Sequence, residues 1–265
     1  MVKKDNNYCI YAGYEKTSHF RPCVFEQLRG LSLRYNIVYV TILNNPNIKN
    51  DLLFKSIREI TNHIIIRDNI GYDFGSWKEG ISFLKPKINS INSLLLMNDS
   101  LYGPLFSMEE ILNRTLNSSC DITSMTSNVQ EGYHAQSYYI SYKNNVINSD
   151  LFKNFWESLE LKKILTIKDK YDLVLKNEVG FYQTLKSSGF SHETLFDTGN
   201  GYNQTIFDWE KLVYMGMPFI KNTLLFKKTL PKTTRKINID NLARVIFKNK
   251  ILAKKMLEYW KKCEI

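Results

Sequence analysis

A chain of 265 residues that is 43% hydrophobic and 23% charged has the composition of a globular protein, and it is long enough to bury one full core. No stretch approaches the roughly 20 consecutive apolar residues that cross a bilayer, so the sequence predicts no transmembrane helix. Residues 1–8 are polar and lack the apolar core of a secretory signal, and we therefore expect a cytoplasmic protein.

The formal net charge of +10 is concentrated toward the C-terminal end. Residues 227–265 hold twelve Lys or Arg against three Asp or Glu, whereas residues 1–226 are nearly neutral. We predict a folded domain over 1–226 and a basic, amphipathic helical extension over 227–265. The extension fits either an interfacial helix on an anionic membrane or a helix packed on the domain with solvated lysines. We predict no nucleic-acid partner, because proteins that bind nucleic acids more often spread their positive charge over a folded face.

In chain order, the hydrophobic pattern predicts alternating strands and helices over the first 116 residues. Predicted strands lie at 8–14, 36–43, 63–67 and 93–97. Predicted helices lie at 18–35, after an Asn50 cap, at 76–84, and after a capping box of Ser107 and Glu110. The pattern turns strand-like from 121 to 142, and helices are predicted at 150–159, 178–187 and 208–216.

This order predicts an α/β fold with a Rossmann-type mixed central sheet flanked by helices. In such sheets, ligands bind beyond the carboxyl ends of the strands. Two polar clusters, residues 68–77 and 98–103, directly follow predicted strands. We therefore expect the functional site at this edge of the sheet.

The first cluster contains the glycine-rich segment 69–77 (NIGYDFGSW) between a strand and a helix. Glycines permit positive φ angles and close approach of the backbone to a ligand, and a helix N-terminus attracts phosphate. A structural glycine turn is the alternative. The polar and aromatic side chains around the turn favour a binding role for Asp68, Asn69, Gly71, Asp73 and Trp77.

The second cluster ends the buried strand 94–97 with Asn98, Asp99 and Ser100. Oxygen atoms of such side chains are ligands that Mg²⁺ or Mn²⁺ prefers, and such an ion neutralises a diphosphate leaving group. A turn in which Asp99 caps backbone amides is the alternative.

These motifs resemble the rhamnan synthesis protein F family of bacterial polysaccharide glycosyltransferases. The resemblance covers about residues 9–225 and rests on NxGxDFGxW, LLxNDSxYGP, a later QSY strand and a helix with the pattern ExGxxxxLxxxG. It implies a GT-A-like fold, a nucleoside-diphosphate sugar donor and a saccharide or lipid-linked glycan acceptor. In GT-A enzymes an Asp-x-Asp motif ends a central strand and carries the metal. Asn98-Asp99-Ser100 stands there in this chain, with one carboxylate, so Asp99 is the candidate ligand for a divalent cation.

The later helix also resembles part of the inverting GT-A pattern, with Glu178 as its carboxylate. Inverting transfer needs a base to take the proton of the acceptor hydroxyl, and a Glu at a helix start would be stabilised as its anion by the helix dipole. We predict Glu178 as the catalytic base and Asp99 as the second catalytic residue. An ordinary N-terminal helix glutamate is the alternative.

Further candidates surround the predicted strand ends. Tyr11 and Gly13, with Tyr14, end the first strand, where GT-A enzymes seat the nucleotide base. His134 and Gln136 precede a predicted strand and are candidates for acceptor binding. Asp197, with Asn200 and Tyr202 in the same glycine-bearing loop, is a further acceptor candidate.

The leading hypothesis is a cytoplasmic, membrane-peripheral glycosyltransferase that adds a sugar to a growing bacterial surface polysaccharide, with rhamnose as the candidate sugar. The competing hypothesis is a non-catalytic module that binds sugar nucleotides or glycans within a synthesis complex. The single carboxylate of Asn98-Asp99-Ser100 keeps that second hypothesis open.

Overall fold

The computed structural model describes residues 6–199 and 203–224. The strands are β1 (Asn7–Glu15), β2 (Asn36–Leu43), β3 (His63–Ile66), β4 (Ser93–Asn98), β5 (Leu101–Tyr102), β6 (Ile122–Ser124), β7 (Ser127–Asn128), β8 (His134–Ala135), β9 (Tyr139–Lys143), β10 (His192–Thr194) and β11 (Ile220–Lys221). The helices are α1 (Pro22–Leu31), α2 (Leu52–Ile60), α3 (Tyr72–Leu84), α4 (Glu109–Asn117), α5 (Asn144–Ile147), α6 (Asp150–Ser158), α7 (Ile167–Val174), α8 (Phe181–Ser187), α9 (Gln204–Phe207) and α10 (Trp209–Tyr214).

Seven of these strands form one sheet in the order β10-β6-β9-β4-β1-β2-β3. All neighbours pair in parallel except β9, which runs antiparallel to both β4 and β6. The carboxyl ends of β1, β4, β6 and β10 therefore meet the amino end of β9 at one edge. Segments that follow the parallel strands and the segment that precedes β9 converge there. This confirms the predicted α/β class and the mixed, mostly parallel sheet flanked by helices.

Successive side chains of a strand point to opposite faces of the sheet, and a separate core covers each face. On β1, Cys9 and Tyr11 point into the core that also contains residues of α1, α2 and α4, whereas Ile10 and Ala12 point into the core formed with α3, α6 and α8. Both faces of β4 are buried, which explains why its sequence is a continuous apolar run. The buried apolar run of β4 ends at Asn98, at the carboxyl edge of the sheet.

Several element ends differ from the sequence predictions. Helix α3 begins at Tyr72 rather than at 76, so Gly75 lies inside the helix. Asp51, not Asn50, caps α2, because its side chain accepts the amides of Leu53 and Phe54. The predicted capping box of Ser107 and Glu110 is also wrong.

Helix α4 has no side-chain cap at Met108, and Ser107 Oγ instead accepts the amide of Glu109. The predicted helix at 208–216 is present as α10 (Trp209–Tyr214), and Gly216 follows its end with φ +97°. The short helix α9 precedes it and was not predicted. The predicted basic extension over 227–265 lies outside the described residues. Among the helices that the structure describes, none has the length and apolar character needed to cross a bilayer.

Candidate functional site

Four polar side chains form a hydrogen-bonded chain at the carboxyl end of β4. Lys221 Nζ donates to Ser100 Oγ at 3.1 Å, and Ser100 Oγ donates to Asn98 Oδ1 at 2.6 Å. Asn98 Nδ2 donates in turn to Asp73 Oδ2 at 2.7 Å. The chain joins residues from β11, the turn after β4, and the first turn of α3. Predicted site residues Asp73, Asn98 and Ser100 are therefore brought together.

Asp73 carries an unusual protonation equilibrium for an aspartate. Burial and the nearby Asp99 carboxylate raise the pKa of Asp73 to about 7, against the hydrogen bond from Asn98 and the charge of Lys221. Near neutral pH this carboxyl is therefore divided between its neutral and ionised forms. The site can change its charge by one unit close to physiological pH.

Asp99 lies beside the chain but belongs to an ion cluster on the β1 side. Its Oδ2 accepts the backbone amide of Tyr14 at 2.7 Å and an ion-pair contact from Arg21. Arg21 also pairs with Glu15 at 3.0 Å, and the Glu15 side chain is 1% exposed. One guanidinium is thus held between two carboxylates, which fixes the end of β1 against the turn after β4.

Lys221 and Arg21 are two charged residues of this edge that were not predicted from the sequence. Lys221 reaches the site because β11 pairs antiparallel with β5, which follows the Asp99 turn. Asn222 locks this register, since its Nδ2 donates to the Asp99 carbonyl at 2.6 Å. Burial lowers the pKa of Lys221 to about 8, although Glu178 and Asp73 oppose that shift. The available signal was a lysine directly after the apolar residues 218–220 (PFI).

Glu178 belongs to a second group of polar side chains, next to the hydrogen-bonded chain that begins at Lys221. Ser137 Oγ donates to Glu178 Oε2 at 2.6 Å, and His134 Nε2 is 3.5 Å from Oε1. The other ring nitrogen of His134 lies 2.8 Å from the Gly132 carbonyl oxygen. Both ring nitrogens therefore face acceptors, an arrangement that favours the doubly protonated imidazolium.

The contact between Glu178 and His134 lowers the pKa of the glutamate and raises the pKa of the histidine. Burial raises the pKa of Glu178, but the hydrogen bonds from His134 and Ser137 hold it below its ordinary value. Burial lowers the pKa of His134, yet its contacts with Glu178 and Gly132 raise it above the ordinary value. The carboxylate of Glu178 and the protonated form of His134 therefore favour each other.

The helix-dipole argument for Glu178 is wrong. Glu178 lies in the π-helical turn Leu175–Gly180, which joins α7 to α8 and leaves the glutamate far from a helix start. Its anion is stabilised by the side chains of Ser137 and His134 instead. A π-turn inside a helix often marks a functional position, because it turns one side chain out of the regular helical stripe.

The glycine-rich segment forms the entry to α3. Gly71 has φ +75° and caps the helix, and its amide donates to the Lys162 carbonyl at 3.0 Å. A side chain at Gly75 would place Cβ 2.1 Å from the Ile70 oxygen, so this glycine lets the 68–71 loop fold onto α3. Asp68 and Asn69 are exposed on that loop, and their part in donor binding stays a prediction.

Three residues predicted to contact the donor are core residues. Tyr11 is fully buried and donates to Gln27 Oε1 at 2.6 Å, so it has no face available for a nucleotide base. Trp77 is 1% exposed and donates its indole N–H to the Met97 carbonyl. Gly13 is buried where a Cβ would meet the Tyr39 hydroxyl at 2.4 Å, and its role is therefore to admit that ring.

The acceptor candidates divide between the site and its surroundings. His134 joins the Glu178 group, whereas Gln136 is 6% exposed and accepts from Thr126 Oγ1 at 2.7 Å. Asp197 is exposed and accepts the Gly199 amide at 2.9 Å, so it shapes its own loop. Asn200 and Tyr202 lie outside the described residues. Acceptor binding by His134, Gln136 and Asp197 stays a prediction.

The oxygen atoms at Asn98-Asp99-Ser100 do not fit a divalent cation. Asp99 Oδ2 already accepts from Arg21 and Tyr14, Asn98 Oδ1 accepts twice from Ser100, and Ser100 Oγ accepts from the Lys221 ammonium. Two positive side chains thus stand where a cation would be held. Across residues 6–199 and 203–224, no three His, Cys, Asp or Glu side chains converge as metal ligands.

A sequence model of the family described as "Rhamnan synthesis protein F" matches residues 40–263. The chain belongs to this family. The resemblance seen in its motifs is thereby confirmed.

Two curated proteins show how this chain relates to longer ones. It is 28% identical over 177 residues to "Uncharacterized protein y4gN" of Sinorhizobium fredii, covering 65% of this chain and 44% of that protein. It is 29% identical over 191 residues to "Virulence protein VirA" of Vibrio anguillarum, covering 71% of this chain and 57% of that protein. The chain therefore spans about half the length of these relatives.

Two solved structures show a distant likeness to this chain. Mouse xyloside xylosyltransferase 1 in its apo form is 10% identical with a TM-score of 0.37, over 71% of this chain and 85% of that one. HddC from Yersinia pseudotuberculosis is 9% identical with a TM-score of 0.37, over 64% of this chain and 99% of that one. Likenesses at this level carry no argument about the chemistry of the rhamnan synthesis protein F site.

Proposed function

We propose that this chain transfers a sugar from a nucleoside-diphosphate donor to a glycan acceptor, at the carboxyl edge of its sheet. The observation that carries the proposal is the juxtaposition of the Lys221-Ser100-Asn98-Asp73 chain with Glu178 in a member of the rhamnan synthesis protein F family. These four side chains supply hydrogen-bond donors and a positive charge for the phosphate oxygens of the sugar nucleotide. Glu178 supplies a carboxylate for a hydroxyl proton.

In the proposed step, an acceptor hydroxyl oxygen attacks the anomeric carbon of the donor sugar. The bond from that carbon to the diphosphate oxygen breaks, and its electron pair leaves with the nucleoside diphosphate. The hydroxyl proton passes to the Glu178 carboxylate, so charge and atoms balance. Attack opposite to the leaving group inverts the anomeric configuration. Ser137 and His134 hold the Glu178 carboxylate in place before the acceptor arrives.

The Glu178→Gln variant tests this role, because glutamine keeps the size of the side chain and loses the base. We expect sugar transfer to fall by at least about 100-fold, the usual contribution of a positioned base, while donor binding measured by calorimetry is retained. Glu160→Gln, at an exposed glutamate on the surface, is the matched control. Full transfer activity in a folded Glu178→Gln protein would remove Glu178 from the mechanism.

A non-catalytic binding module is the second candidate. The observation that favours it is the low pKa of Glu178, because a weaker base accepts a hydroxyl proton less readily. Donor binding without turnover across a broad set of glycan acceptors would support this candidate over transfer.

Only membership of the family supports a finer identity of the reaction. We propose rhamnose as the transferred sugar, a bacterial surface polysaccharide as the product, and a saccharide or lipid-linked glycan as the acceptor. A lipid-linked acceptor would place the enzyme in the cytoplasm at the inner face of the membrane. The basic segment 227–265 would supply the peripheral contact through its lysines, with no nucleic-acid partner.

A further inference from the structure

Lys221 differs from the other cation of the site in what it contacts. Arg21 is enclosed by the carboxylates of Glu15 and Asp99, so its charge is already compensated. The Lys221 ammonium instead contacts the Ser100 hydroxyl at 3.1 Å and lies 3.9 Å from the centre of the Tyr138 ring. A hydroxyl and a ring face leave the net charge of this lysine in place.

The position of Lys221 is fixed by backbone pairing rather than by its own flexible stem. Lys221 is paired with Leu101 across β11 and β5, and the Asn222 amide donates to the Ser100 carbonyl at 2.9 Å. The ammonium is therefore carried to the turn after β4, where an oxygen-bound cation was expected from the sequence. The oxygen atoms of Asn98, Asp99 and Ser100 do not fit that expected cation.

We propose that Lys221 binds the diphosphate of the donor and takes the place of a divalent cation at this site. The inference rests on the proposed function and deepens it, because it assigns how the leaving group is neutralised. As the bond to the anomeric carbon breaks, its electron pair adds charge to the diphosphate oxygen. A fixed ammonium near that oxygen stabilises the transition state more than the ground state.

The charges that face Lys221 come from three elements. Asp73 lies on α3, Glu178 on the π-turn and Lys170 on α7, and the Tyr138 ring precedes β9. Burial lowers the pKa of Lys221 to about 8, which leaves the ammonium charged at neutral pH. A half-buried ammonium is less hydrated than an exposed one, so a phosphate oxygen there meets a stronger field.

The test is calorimetric titration of UDP, dTDP, CDP and GDP into the full chain, once with a chelator and once with Mg²⁺ or Mn²⁺. We expect one nucleotide to bind equally well under both conditions. Lys221→Met keeps the length of the side chain and removes the charge. It is expected to weaken that binding about 10- to 100-fold, the contribution of a charge-assisted contact. Lys221→Arg should retain most of the affinity.

Lys55→Met removes an exposed lysine on α2 and is the matched control, with unchanged affinity expected. Binding by the unaltered protein that requires the metal would overturn the lysine proposal and leave the proposed transferase function standing. Equal affinity in Lys221→Met would overturn it as well. If no nucleotide binds under either condition, the proposed function itself fails. The wild-type comparison with and without chelator tests the need for a metal even where a variant does not fold, and Lys221→Arg, which keeps the charge, separates loss of charge from loss of folding.

Discussion

At the scale of single residues, the site depends on one arginine that holds two carboxylates together. Glu15 is almost fully buried and Asp99 is partly buried, and both contact Arg21. The Tyr39 hydroxyl also donates to Glu15 at 3.0 Å, but it carries no charge. Removal of the arginine would leave two like charges close together in a poorly hydrated place.

Arg21→Met should therefore destabilise the protein by about 3 kcal/mol, as expected when one partner of a buried ion pair is lost. Urea unfolding measures the loss. The control is Arg29→Met, whose exposed pair with Glu26 should contribute below about 0.5 kcal/mol. Adding Glu15→Gln to Arg21→Met should restore part of the stability. Equal effects of the two single variants would contradict the buried-cluster account.

The site residues that were predicted from the sequence differ from those that were missed in how far along the sequence their contact partners lie. Asn98, Asp99 and Asp73 were found because each directly follows a predicted strand or glycine turn. Lys221 meets Ser100 across 121 residues, and Arg21 meets Asp99 across 78. No local pattern encodes such pairs, since they arise only when the sheet order is known. Tyr11 was misassigned because it lies in the middle of β1 rather than at its end, and its ring points into the core.

At the scale of elements, periodicity predicted the strands better than the helix boundaries. Strand β2 spans the predicted residues, because its β-branched run is buried on both faces. Helix α3 starts four residues earlier than predicted, since Gly71 in a left-handed conformation serves as its cap. The π-turn at Leu175–Gly180 has no hydrophobic period of its own and was invisible in the sequence.

One histidine joins three elements that close the edge of the sheet. His192 on β10 has Ser124 Oγ of β6 2.8 Å from Nε2 and the Tyr182 hydroxyl of α8 2.8 Å from Nδ1. Burial, helped by the charge of Lys186, lowers the pKa of His192 to about 4. The neutral imidazole is therefore the form that the folded protein accommodates.

This predicts a stability loss on acidification. A depressed folded pKa gives stability that is present above the unfolded value, near 6.5, and lost as the pH falls through about 4. The contribution is about 3 kcal/mol and should appear as a slope in the free energy of unfolding over that window. His192→Gln should flatten the slope, and His63→Gln on β3 is the control. An unchanged slope in His192→Gln would contradict the prediction.

At the scale of the whole molecule, one reversed strand explains why distant segments share a site. Within the seven-stranded sheet, β9 runs against both of its neighbours. The segment before it, with His134 and Ser137, therefore reaches the same edge as the ends of β1 and β4. Glu178 then approaches this edge from α7 and α8. The mixed sheet was predictable from the change in pattern after residue 121, but the meeting of Glu178 with His134 was not.

The central claim is that this edge binds a sugar nucleotide. Amide hydrogen exchange tests it most directly, measured with and without a panel of uridine, thymidine, cytidine and guanosine diphosphate sugars that includes an activated rhamnose. We predict that one of them slows exchange in two segments, 98–103 and 218–223. The contradicting result is no protection from any sugar nucleotide, or protection confined to segments away from this edge.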